Sequence, residues 1–157
     1  MIEFGINVGR TAKAMLANVP TLKSYHGVDV PIGYIPAMPV QRNEVPAVPG
    51  ELVLADPRFQ LLVRPRGSFD LRIEDFEPCD AVFIDGDHGR DGVLHDTALA
   101  DAVVRPGGII IWHDYHTLGT VDVADVLHEL ADTGRPIKHV RDTWIAFERK
   151  PASQTAQ

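Results

Sequence analysis

Residues 81–88 read AVFIDGDH, and this stretch decides the fold class. Its first four residues form an unbroken apolar run, which predicts a strand buried on both faces of a parallel sheet. Two carboxylates and an imidazole follow directly, where that strand should end. Residues 109–116 repeat the arrangement as IIIWHDYH. A helix-like segment lies between the two stretches, so the sequence predicts a βαβ unit and an α/β fold.

Helical and strand-like patterns continue outward from this unit. The helix between the two strands is predicted at 92–104 and is ended by the Pro-Gly-Gly of residues 106–108. Its inward-facing positions are predicted to be Val93, Leu94, Thr97, Leu99, Ala100 and Val103. Further strands are predicted at 2–6, 24–30 and 59–63, helices at 11–19 and from 120 or 122 to 130, and a closing hairpin at 136–140 and 143–147.

Composition indicates one ordinary globular domain. The chain has 157 residues, of which 45% are hydrophobic and 24% charged, and we expect a single domain over residues 1–150. Its 15 Lys and Arg against 22 Asp and Glu give a net charge of −7, which disfavours nucleic acid and anionic membrane surfaces as partners. The single cysteine, Cys79, fits a reducing compartment, so we expect a cytoplasmic protein.

A proline-rich segment interrupts the pattern at residues 31–50. Five prolines stand there, at positions 31, 36, 39, 46 and 49, which is too many for a helix interior. We expect an extended loop with a polyproline bias that serves either the functional site or an interface, and such an arm makes a homo-oligomer plausible. The polar tail at 151–157 is predicted to be disordered.

A glycine turn follows the first predicted strand, where residues 3–9 read EFGINVG. Gly5 and Gly9 allow a ligand to approach the backbone, and Asn7 tolerates positive φ. The helix that begins after Gly9 would present free N–H groups. Asp29 stands about twenty residues further on, where many nucleotide-binding folds hold a ribose. An ordinary tight turn with a solvated Asp29 is the alternative, and the G-x-G-x-x-G pattern of dinucleotide sites is not met.

Residues 83–88 and 107–115, together with the glycine turn and the strand at 143–147, resemble the class I S-adenosylmethionine-dependent methyltransferases. Within that superfamily the chain is most similar to the small-molecule O-methyltransferase branch, which carries Asp-Gly-Asp-His and His-Asp-Tyr stretches. The resemblance covers roughly residues 2 to 148. It implies a three-layer Rossmann-like fold whose seven-stranded sheet is parallel except for one antiparallel strand in the terminal hairpin.

The resemblance also implies a cofactor site for S-adenosyl-L-methionine. Residues at the first turn would line the methionine end, Asp29 would bind the ribose hydroxyls, and Asp85 would lie near the transferred methyl group. The implied cofactor-binding residues are Glu3, Gly5, Asn7, Gly9, Asp29, Gly67, Ser68 and Asp85.

The acids and histidines after the two central strands should meet at one edge of the sheet. The resemblance implies a divalent cation, Mg²⁺ or Mn²⁺, at Asp85, Asp114 and His113, which would bind a small hydroxylated substrate and acidify its hydroxyl. Without a metal, His113 or His88 would act as general base. The catalytic candidates are therefore His113, Asp114 and His88. Alternatively, Asp85 and Asp114 cap the following turns, and His88 binds a loop backbone.

Two other functions remain open at this level. The first is a degenerate methyltransferase fold that only binds or scaffolds, since Asn7 replaces a glycine and no helices precede the first strand to cover a substrate. For an active enzyme, the loop at 31–49, the loop at 115–119 or a partner subunit would have to supply the lid. The second is a metal-dependent hydrolase that uses Asp85, Asp87, His113 and Asp114. Trp112 and Trp144 are expected in the core.

Overall fold

The computed structural model describes residues 1–152, so the predicted disordered tail falls outside the described residues from position 153 onward. Within them, three α-helices flank one sheet of seven strands. The strands are β1 (Ile2–Phe4), β2 (Tyr25–Asp29), β3 (Phe59–Val63), β4 (Cys79–Ile84), β5 (Val104–Trp112), β6 (Lys138–His139) and β7 (Ala146–Arg149). The helices are α1 (Arg10–Asn18), α2 (Arg90–Val103) and α3 (Val123–Asp132). No described helix is both long and apolar enough to cross a bilayer.

The strand order is β3-β2-β1-β4-β5-β7-β6. The first five strands of this order pair in parallel, and β7 is antiparallel to both of its neighbours. This confirms the α/β prediction and the single antiparallel strand. Phe4 pairs with Val28 and with Ile84, which in turn pairs with Trp112. The carboxyl ends of β2, β1, β4 and β5 are therefore level, and the loops after them meet.

Apolar side chains cover both faces of the central strands. On one face, Phe4 and Val82 pack with residues of α2 and α3, such as Val93 and Val126. On the other face, Phe83 belongs to a cluster with Ala12 and Leu16 of α1. The predicted burial of β4 on both faces is thus confirmed, because helices cover the sheet on each side.

Several predicted details are wrong. Leu94 lies on the outer side of α2 and is 36% exposed, unlike the other five predicted inward positions. Trp144 is 50% exposed, whereas Trp112 is fully buried as predicted. The Pro-Gly-Gly turn does not separate α2 from the next strand, because β5 begins at Val104, and the pairing register shifts between Cys79 and Ala81 to accommodate it.

The proline-rich segment is not wholly extended. A 3₁₀ helix occupies Pro39–Asn43, with a proline at its first position, where the missing N–H costs nothing. The first strand is also shorter than predicted and ends at Phe4, because Gly5 adopts a left-handed conformation with φ 84°. Both features lie next to the carboxyl edge of the sheet and shape the site there.

Candidate functional site

A cavity lies at the carboxyl ends of β1, β2 and β4, where open α/β sheets bind ligands. It encloses about 690 Å³, counting the part that opens to solvent. Six of the predicted cofactor residues line it, namely Gly5, Asn7, Asp29, Gly67, Ser68 and Asp85. The proline-rich segment forms its roof, through Tyr34, Pro36, Gln41, Glu44 and Val45. The predicted residues from the turn after β1, from the end of β2 and from the segment after β3 therefore line a single cavity.

The turn after β1 presses closely on the loop after β4. A Cβ atom at Gly5 would lie 2.0 Å from the backbone oxygen of Asp85, so no other residue fits there. Asn7 follows with φ 48°, in agreement with the predicted tolerance for positive φ. This backbone approach brings the glycine turn and Asp85 to the same wall of the cavity.

Asp29 ends β2 and fixes the turn after β1. Its Oδ2 accepts a hydrogen bond from the backbone N–H of Asn7 at 2.7 Å, and its Oδ1 accepts one from Val30 at 2.7 Å. Burial raises the pKa of this carboxyl, against the opposing effect of the two backbone donors. Each carboxylate oxygen has a further lone pair, so Asp29 can accept additional hydrogen bonds from a ligand's hydroxyl groups.

Two predicted cofactor residues lie behind the cavity wall instead of on it. Glu3 is only 1% exposed, and its Oε2 accepts a hydrogen bond from the hydroxyl of Tyr25 at 2.6 Å. Burial raises the pKa of Glu3 to about 8. Gly9 is covered by Gly50 and by Val53, whose Cγ2 would lie 2.9 Å from a Cβ at position 9. Both residues support the turn from below, and a direct contact with cofactor remains a prediction for them.

The far end of the cavity is formed by the segment after β3. Gly67 and Ser68 begin a short 3₁₀ helix, Gly67–Asp70, in which both are buried. The ring of Phe69 stacks on His95 with centroids 4.7 Å apart, and a ring nitrogen of His95 lies 3.1 Å from the Ser68 carbonyl oxygen. Helix α2 therefore holds this end in place.

The predicted cluster of acids and histidines also forms beside the cavity. Nδ1 of His113 lies 3.2 Å from Oδ1 of Asp85 and 3.0 Å from Oδ2 of Asp114. Nε2 of His88 lies 3.5 Å and 3.2 Å from the same two oxygens. Parallel pairing of β4 with β5 brings these groups together, because Asp85 and His113 directly follow the paired residues Ile84 and Trp112.

Electrostatics in this cluster favour positive charge. The neighbouring carboxylates of Asp114 and Asp85 raise the pKa of His113 to about 10. Burial acts to lower the pKa of His88, but the same two carboxylates outweigh it and raise that pKa. An imidazole that keeps its proton at neutral pH is a poor general base. The cluster is better suited to hold a cation than to remove a proton by histidine alone.

The donor set fits a divalent metal ion. One ligand atom from each of Asp85, His113 and Asp114 lies within 4.8 Å of the others. Nδ1 of His113 and Nε2 of His88 are both buried and have no hydrogen-bond partner of acceptable geometry among the described residues. Two carboxylates and one ring nitrogen that converge in this way suit Mg²⁺ or Mn²⁺, and His113 would release its proton when such an ion binds.

An aromatic wall borders this cluster on the side of β7. The ring of His116 lies 4.6 Å from that of Trp144, and its Nε2 lies 3.8 Å from Oδ1 of Asp114. The hydroxyl of Tyr115 lies 2.9 Å from Nε2 of His128. The exposed ring of Trp144 takes part in this wall, whereas the sequence predicted it in the core.

The sequence predicted that the proline-rich segment serves the site or an interface, but it did not identify which of its side chains line the cavity. Gln41 and Glu44 line the cavity although neither belongs to a strand end or a recognised motif. The one available signal was the proline at the start of their short helix, which marks a turn but not a contact.

Comparisons with known proteins agree with this geometry. The family model described as "Methyltransferase domain" matches residues 2–115. The search of curated proteins finds no match.

Solved structures share the fold at low sequence identity. The O-methyltransferase NovP is 13% identical with a TM-score of 0.74, over 96% of this chain and 71% of NovP. The calicheamicin methyltransferase CalS11 is 13% identical with a TM-score of 0.67, over 95% of this chain and 71% of CalS11. MycE of the mycinamycin biosynthetic pathway, in complex with Mg and SAH, is 17% identical with a TM-score of 0.63, over 99% of this chain and 46% of MycE. The family match spans most of the chain, which therefore belongs to the methyltransferase-domain family.

Proposed function

We propose that this protein transfers a methyl group from S-adenosyl-L-methionine to an oxygen atom of a small hydroxylated molecule, assisted by a divalent metal ion. The observation that carries the proposal is the adjacency of two sites at one sheet edge. Asp85 lines the cavity and also belongs to the Asp85–His113–Asp114 ligand set. A donor bound in the cavity and a hydroxyl bound at the cluster would meet beside this residue.

The charge of the cavity supports the donor. Among the described residues that line it, four carry carboxylates, Asp29, Glu44, Asp85 and Asp87, and one is a cation, Arg66. An acidic wall favours a ligand with a sulfonium and an ammonium group. Asp29 would accept hydrogen bonds from the two ribose hydroxyls, and Ser68, at the other end of the cavity, would lie along the adenine ring.

The ligand set would hold Mg²⁺ or Mn²⁺ through Asp85, Asp114 and His113. When bound there, such an ion supplies Lewis acidity, which lowers the pKa of a coordinated hydroxyl. The residues of the chain orient the two reactants, and Gly5 keeps the backbone close enough for Asp85 to serve both sites. A solved relative that shares the fold, MycE, was determined with Mg and SAH.

The acceptor class follows from the same neighbours. NovP is described as an O-methyltransferase, and CalS11 as a TDP-rhamnose 3'-O-methyltransferase. We infer a small acceptor with free hydroxyl groups, such as a sugar, a catechol or a polyketide. The exposed ring of Trp144 beside the cluster offers an apolar face for such a molecule.

Methyl transfer from radiolabelled S-adenosylmethionine to a panel of such acceptors tests the proposal. We expect a labelled product with Mg²⁺ or Mn²⁺ and loss of that product with EDTA. Binding of the donor with no transfer to any acceptor would instead favour a binding protein. Hydrolysis of a generic ester that needs metal but not the donor would favour a hydrolase.

A further inference from the structure

One buried side chain joins the roof of the cavity to the loop after β4. Of the five residues in the 3₁₀ helix Pro39–Asn43, Gln41 alone is buried, at 8% exposure. Its neighbours Val40 and Arg42 face solvent. A polar side chain that is buried in this way needs hydrogen-bond partners within the protein.

Gln41 finds two partners on a single loop. Its Nε2 donates a hydrogen bond to the carbonyl oxygen of Gly86 at 2.7 Å, and its Oε1 accepts one from the backbone N–H of His88 at 3.2 Å. Gly86 and His88 flank Asp87, and together they form the loop that begins with Asp85. The Gln41 amide thus holds the loop that carries both a cavity wall and a proposed metal ligand.

A second attachment joins the same roof to the other side of the cavity. Nδ2 of Asn7 donates a hydrogen bond to the carbonyl oxygen of Glu44 at 2.7 Å. The segment therefore contacts the turn after β1 through Asn7 and the loop after β4 through Gln41. These are the two backbone segments that Gly5 brings together underneath.

We propose that Gln41 is a positioning residue that couples the roof over the donor to the loop bearing Asp85, so that the cofactor site is complete only when the proline-rich segment is docked. The identity of the ligand in this inference rests on the proposed function, whereas the hydrogen bonds of Gln41 do not depend on it. The role suits glutamine in particular, because a planar amide offers a donor and an acceptor side by side. A carboxylate of the same shape cannot donate to the Gly86 carbonyl.

Hydrogen exchange of the ligand-free protein tests the docking directly. Gln41→Ala is expected to lower the protection of segments 38–45 and 84–90 about ten-fold, equal to about 1.4 kcal/mol of local stability. Arg42→Ala, at the exposed neighbouring position, is the matched control and should leave both segments unchanged. Exchange of 84–90 in Gln41→Ala at the parental rate would overturn the proposal.

Affinity for S-adenosylhomocysteine supplies a second readout. We expect Gln41→Ala and Gln41→Glu to bind it about ten-fold more weakly, while Arg42→Ala binds as the parent does. Because Gln41→Glu preserves size, parental affinity in that variant would overturn the hydrogen-bonding role. Failure of the parent itself to bind would refute the proposed function alone, since the exchange experiment needs no ligand and still decides the role of Gln41.

Discussion

The carboxylate of Asp29 at the end of β2 holds the backbone N–H of Asn7, 22 positions earlier in the chain, at 2.7 Å. One oxygen thereby fixes the turn that opens the cavity, while the group as a whole lines that cavity. Asp29 therefore has two roles, one in holding the turn after β1 and one in the proposed binding of the ligand, and substitution of Asp29 can separate them.

Replacement of Asp29 should weaken donor binding more than it harms folding. Asp29→Asn keeps an oxygen that can accept a hydrogen bond from one backbone N–H, but it loses the negative charge. A hydrogen bond to a charged acceptor contributes about 1.5–3 kcal/mol. We therefore expect S-adenosylhomocysteine to bind at least ten-fold more weakly. Calorimetric titration measures this. Asp125→Asn, exposed on α3, is the control. Equal affinity of the Asp29→Asn protein and the parent would remove Asp29 from the cofactor site.

Replacement of Asp114 should affect metal binding and activity but not the donor. Asp114 has φ 55°, a conformation that Asn tolerates, so Asp114→Asn removes the charge without straining the backbone. We expect Mn²⁺ affinity, measured by electron paramagnetic resonance, to fall about ten-fold or more, with S-adenosylhomocysteine affinity within about two-fold. Asp142→Asn is a matched control, since Asp142 is exposed and has φ 61°. Unchanged Mn²⁺ binding in Asp114→Asn would place the metal elsewhere.

Glu3 should make stability depend on pH. Burial raises its folded pKa from 4.5 to about 8, so the folded state retains a proton that the unfolded state has released. The contribution of Glu3 to the free energy of unfolding is therefore fully present below pH 4.5 and is lost as pH rises toward 8. Glu3→Gln keeps a partner for the Tyr25 hydroxyl but cannot ionise.

Chemical unfolding across this pH range measures the effect. The stability of Glu3→Gln relative to the parent should rise steadily from pH 5 to pH 8 and then level off, whereas the exposed control Glu51→Gln should show no such trend. A difference between Glu3→Gln and the parent that stays constant with pH would show that Glu3 is ionised in the fold.

The two tryptophans should differ sharply in their effect on stability. Trp112 is fully buried, and its Nε1 donates a hydrogen bond to the hydroxyl of Thr97 at 2.9 Å. Trp112→Phe leaves that group unpaired and a gap beside it, so we expect a loss of about 2–3 kcal/mol in the free energy of unfolding. Trp144→Phe, at a half-exposed site, should cost no more than about 0.5 kcal/mol. Similar losses for both would contradict the placement of Trp144.

Much of the fold could be predicted because the apolar runs in the sequence match the burial that the central strands have in the sheet. The apolar run of β4 needs cover on both faces, and parallel pairing then forces Asp85 and Asp114 to one edge. Trp144 was misplaced because size and hydrophobicity do not tell whether a position near the end of a hairpin is covered. Gln41 was missed because its contact with Gly86 spans 45 positions between two irregular segments, for which no periodicity exists.

Calorimetric titration of the parent protein with S-adenosylhomocysteine, followed by a crystal structure of the same mixture, tests the central claim most directly. The account predicts one ligand per chain, with its ribose hydroxyls on Asp29 and its sulfur beside Asp85. No heat of binding, together with a cavity filled by the chain's own side chains, would contradict it.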